Sequence, residues 1–77
     1  MTFAQLHRMC ASKGLLATQA QFEAGQTITI SDGTRRVCRI TAEWSDPMSV
    51  VNATVMWLVQ HEWITIEDIK SASTDTR

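Results

Sequence analysis

The chain is poor in residues that cross-link or punctuate a backbone, with two cysteines, one proline and three glycines among 77 residues. Two thiols, Cys10 and Cys38, do not make the disulfide framework of a small secreted domain, so both are expected to be reduced, in a cytoplasmic protein. The first eight residues show no basic stretch followed by an apolar core, which argues against a secretory signal. Long apolar runs are missing too. The strongest, residues 50–59, includes Asn52 and Thr54 and falls short of the about 20 apolar residues that span a bilayer, so no membrane partner is expected.

Excess charge is also lacking. Seven Lys and Arg against eight Asp and Glu give a formal charge of −1, which excludes both a generally basic nucleic-acid binder and an acidic, DNA-like surface. There is no glycine-rich phosphate loop, paired-carboxylate motif or nucleophile elbow, and no catalytic activity is expected. Repeats, linkers and low-complexity segments are absent as well. What the chain does have is a 44% hydrophobic content with three tryptophans, enough apolar surface for a folded domain but not for a wide stability margin at this length. One α+β domain is expected over residues 1–70, followed by a flexible polar tail, 71–77.

Residues 3–13 have apolar side chains at helical spacing (Phe3, Leu6, Cys10), with Thr2 as a cap and Gly14 as a stop. From 20 to 30 and again from 36 to 44 the pattern switches to strict alternation, on either side of Ser31, Asp32, Gly33 and Thr34. This predicts one antiparallel hairpin with a dry even face and a wet odd face. A three-residue loop (Ser31, Asp32, Gly33) keeps both apolar sets on one side. It pairs Ile28 with Arg36 and Gln26 with Cys38, and puts Gly33 in the left-handed position. Residues 18–24 also fit a short helix, with Thr18 and Gln21 as a capping box. Asp46 and Pro47 then open a second helix, 48–62, which is apolar nearly all round and so requires cover on more than one side. Residues 63–69 fit either a short third strand or a helical turn. The expected architecture is helix, hairpin, helix (αββα), with both helices on the dry face.

Candidate sites follow from that layout. His7, Cys10, Cys38 and His61 offer the right atoms for zinc, but they come from three elements at no recognised ligand spacing. Buried thiols explain the cysteines better, so neither metal nor cofactor is expected. Trp44 and Trp57 are expected in the core, and Trp63 partly exposed. The remaining apolar surface of the second helix (Val50, Met56, Trp57, Gln60, with Trp63 beyond it) is the expected protein-binding surface, used for a homodimer or for a different protein partner. Such a chain would serve as a non-catalytic interaction protein, an accessory regulator or inhibitor of a larger machine. The alternative is a dimeric DNA-binding regulator reading DNA with its hairpin. There Arg35 and Arg39 share the wet face with Thr27 and Thr29, and Arg36 lies near the turn.

Overall fold

Local signals at both ends of the first helix set where the chain turns. In the computed structural model, which describes residues 1–43 and 49–74, α1 spans Phe3–Ser12 and opens on a capping box between Thr2 and Gln5. Its last turn closes as the Leu15 amide donates to the Cys10 carbonyl and Gly14 takes φ +76, the left-handed cap that favours glycine. Leu15, just past that cap, is buried.

Three antiparallel strands follow, β1 (Leu16–Phe22), β2 (Gly25–Asp32) and β3 (Arg35–Glu43), in the order β1-β2-β3. The α+β class is as expected, but the single strand predicted over 20–30 is two strands. They are joined by a two-residue loop, Glu23 and Ala24, closed by the pair Phe22 and Gly25. The helix considered for 18–24 does not form. A two-residue loop pairs even residues with odd ones, so the inner face combines Ala17, Gln19 and Gln21 of β1 with Gln26, Ile28 and Ile30 of β2. Leu16, Thr18, Ala20 and Phe22 are thereby turned to the outer face.

The second hairpin reaches the expected parity by a different route. Its loop is also two residues, Gly33 and Thr34, closed by Asp32 and Arg35. Gly33 does take φ +64, as expected. A bulge between the Ile30 and Ser31 rows skips Val37, which restores even-with-even pairing. Ile28 therefore faces Ile40 and Ile30 faces Cys38, instead of Ile28 facing Arg36 and Gln26 facing Cys38. Apolar residues meet apolar residues in this register, and Val37 leans onto the core.

α2 spans Ser49–Gln60, within the expected 48–62, and α3 spans Ile66–Thr74. Of the two options for 63–69 the helical one holds. Thr65 and Asp68 form the capping box of α3, with the Thr65 amide donating to Asp68 Oδ2 at 2.8 Å and the Asp68 amide to Thr65 Oγ1 at 3.2 Å. The helix reaches Thr74, into the segment expected as a tail. The positions expected for Trp44, the Asp46 cap and Pro47 lie outside the described residues.

The core fills the space between the inner sheet face and the helices. α1 packs on β1, α2 packs on β2 and β3, and α3 packs on α1. Leu6, Cys10, Ile28, Ile30, Val50 and Leu58 have no exposed surface. Two polar side chains are buried with them, each with a partner: Thr54 donates to the Val50 carbonyl at 2.7 Å, and Gln26 accepts from the Gln19 amide.

Candidate binding surface

The apolar circumference of α2 is mostly covered by the chain's own elements. Val50, Val51, Thr54, Val55 and Leu58 are buried, and Val59 is half-buried. Val50, expected on the partner-binding surface, is fully buried and reaches no surface. Among the others placed there, Met56 is 58% exposed, Gln60 is exposed, and Trp63 is 38% exposed beyond the helix. Trp57 is half-buried under the His61 ring, stacked at 3.9 Å and 13°, while His61 Nδ1 lies 3.0 Å from the Trp57 carbonyl. The open strip of α2 is therefore narrow: Asn52, Ala53, Met56 and Gln60.

A second open surface lies on the sheet. Among the described residues no helix packs on the outer sheet face; α1 and α2 both lie against the inner one. Rows across the outer face follow from the register. Leu16, Ser31 and Arg36 form one row, Thr18, Thr29 and Arg39 the next, and Ala20, Thr27 and Thr41 a third. Thr27 and Thr41 are linked by their hydroxyls at 3.0 Å. The β1 side of this face is apolar, with Leu16 52% and Phe22 44% exposed. Its β3 side is basic, and its centre is hydroxyl-lined.

The arginines are arranged differently from expectation. The bulge moves Arg36 onto the outer face with Arg39, Thr27 and Thr29, and Arg35 pairs with Asp32 on the opposite parity at the hairpin tip. Sequence reasoning missed Leu16, Thr18, Ala20 and Phe22, because one uninterrupted strand puts Ala20 and Phe22 on the dry side. Two signals pointed to the turn. The predicted strand of eleven residues is long against the usual 5–6, and Gly25 sits in its middle, where a glycine often marks a break.

Among the described residues, the chemistry-bearing side chains do not converge elsewhere. Burial pushes the Cys10 thiol up to about 11, with Cys38 adding, and burial also raises Cys38 against a lowering contact from Ile30. Both are poor nucleophiles near neutrality. Among the described residues, no three His, Cys, Asp or Glu side chains gather as a metal site requires. A hollow of about 190 Å³ between α1 and α3 is lined by Gln5, Arg8, Met9, Ser12, Asp68, Ser71 and Ala72. That is below the size of usual small-molecule sites. At its rim, Lys13 bridges to Asp68 at 3.2 Å. The Thr65 amide, helped by Lys13, holds the Asp68 carboxyl below its ordinary value. No described helix is long and apolar enough to cross a membrane.

Compared with protein-family models, with curated proteins and with solved structures, the chain matches none.

Proposed function

We propose that this chain is a non-catalytic binding module that engages a protein partner through its outer sheet face. The reading rests above all on this face, which no described helix covers, with exposed Leu16 and Phe22 along β1 and Arg36 and Arg39 along β3. Exposed apolar side chains beside a hydroxyl and arginine surface give this face an apolar side and a polar side, the two kinds of contact that protein interfaces combine. The complementary partner surface pairs an apolar strip with acidic side chains. A role as regulator or inhibitor of a larger assembly fits such a module, and Met56 and Trp63 offer a second, smaller contact.

DNA binding is the competing function, and one feature favours it: Arg36, Arg39, Thr27 and Thr29 share one open face. Two arginines neutralise few phosphates, so such binding would be weak and steeply salt-dependent.

Affinity capture from the native cell, compared across variants, tests the proposal. A Leu16→Glu/Phe22→Glu chain should lose the partner that wild type retains in moderate salt, and Met56→Glu should keep it. Loss with Met56→Glu alone would return the contact to α2. Capture of DNA that disappears with Arg36→Ala/Arg39→Ala would replace the protein reading with the second one.

A further inference from the structure

We propose that β1 is a self-recognition edge, pairing antiparallel with β1 of a second copy about a two-fold axis at Ala20. The proposal goes beyond the partner reading above, since it concerns main-chain groups at the sheet edge and not the side chains of the outer face.

β1 is an edge strand of the sheet. Phe22 and Gly25 close a two-residue loop, and the residues closing such a loop exchange hydrogen bonds. Alternation along the ladder then commits Phe22, Ala20, Thr18 and Leu16 to β2. The N–H and C=O groups of Gln21, Gln19 and Ala17 point away from it. Exposed edges of this kind are normally blunted by charge, proline or a bulge. β1, with the sequence LATQAQF, has no charged residue and no proline, and its register with β2 is unbroken. The opposite edge, β3, carries four charged residues, Arg35, Arg36, Arg39 and Glu43, and a bulge. Charge and a bulge thus blunt β3 against pairing with another strand, whereas β1 carries neither.

Burial selects the register. Ala17 is 2% exposed, so the edge is closed there, and residues 18–22 are all exposed. An antiparallel pairing confined to those five residues has its centre at Ala20. Gln19 of each copy then exchanges main-chain hydrogen bonds with Gln21 of the other, and Thr18 faces Phe22. Ala20 faces Ala20 in a non-hydrogen-bonded pair, where strands approach to about 4.5 Å between Cα atoms and a small side chain fits best. An axis at Gln19 would require the covered main chain of Ala17. The product is a continuous six-stranded sheet, with all helices on one side and the two outer faces joined into one surface.

Sedimentation of the full chain across a dilution series tests this, with variants at Ala20 that leave Leu16, Phe22, Arg36 and Arg39 in place. Wild type should pass from dimer to monomer on dilution. Ala20→Lys and Ala20→Glu, each placing like charges face to face on the axis, should stay monomeric with an unchanged circular dichroism spectrum. An equimolar mixture of the two should recover the dimer. Ala20→Cys, in which the two thiols meet on the axis, should cross-link between copies on mild oxidation. A wild-type monomer at every concentration, Ala20→Lys dimerising as wild type does, or Ala20→Cys failing to cross-link would each overturn the proposal. A lost partner interaction with the dimer intact would instead count against the outer-face reading alone.

Discussion

At Glu62 the chain places an L-residue at φ +63, in the helix-end position that α1 fills with Gly14. The two ends are built alike. The Trp63 amide donates to the Leu58 carbonyl at 2.9 Å and the Glu62 amide to the Val59 carbonyl at 3.1 Å, as Leu15 and Gly14 do one helix earlier. Glu62 carries a steric cost that Gly14 avoids, so Glu62→Gly should raise stability by about 1 kcal/mol in denaturant unfolding. The cysteines make a second residue-scale prediction. Burial raises the Cys10 thiol from its ordinary 9.0 to about 11, so folding favours the protonated form. Its contribution is complete below about pH 9 and is lost as pH rises through about 11. Unfolding midpoints should fall across that window. At neutral pH a thiol reagent should modify Cys10 and Cys38 only as fast as the chain opens.

Elements were legible where local chemistry marked their ends. Thr2 and Gly14 bracket α1, and Thr65 with Asp68 starts α3. Gly33 turns the second hairpin. The first hairpin turn is built from Glu23 and Ala24, neither at positive φ, and these residue types announce no turn. Alternation continues through the tight reversal in the sequence while the faces exchange in space. That is why a strand pair read as one strand. The bulge at Val37 was hidden for a related reason. Parity alone cannot distinguish a three-residue loop from a two-residue loop with one skipped residue. For α2, apolarity all round was visible, but which side the chain itself covers depends on tertiary packing. Leu58→Ala should cost about 2–5 kcal/mol, a large part of a small domain's stability. Met56→Ala on the exposed strip should stay within about 0.5 kcal/mol. Chemical denaturation of both variants checks that contrast.

On the scale of the whole molecule, the described helices are layered on one side of the sheet. Among the described residues, helices cover the inner sheet face except at Gln19 and Gln21, and none covers the outer face or residues 18–22 of β1. Of the proposed binding surface, Thr27, Thr29 and Arg39 were legible, because the β2 and β3 alternation holds. Leu16, Thr18, Ala20 and Phe22 were not, because their facing depends on a turn signalled only by the length of the alternating run and by Gly25. A 77-residue chain has a thin margin, and in this molecule the apolar helix is largely satisfied internally. The surface left to gain from a second chain is therefore the sheet. Amide NMR spectra recorded over a dilution series test that claim most directly. Concentration-dependent shifts are expected, centred on residues 18–22 and their outer-face neighbours in β2, with Met56, Gln60 and Trp63 unmoved. Shifts confined to those α2 and Trp63 positions, with β1 silent, would contradict it.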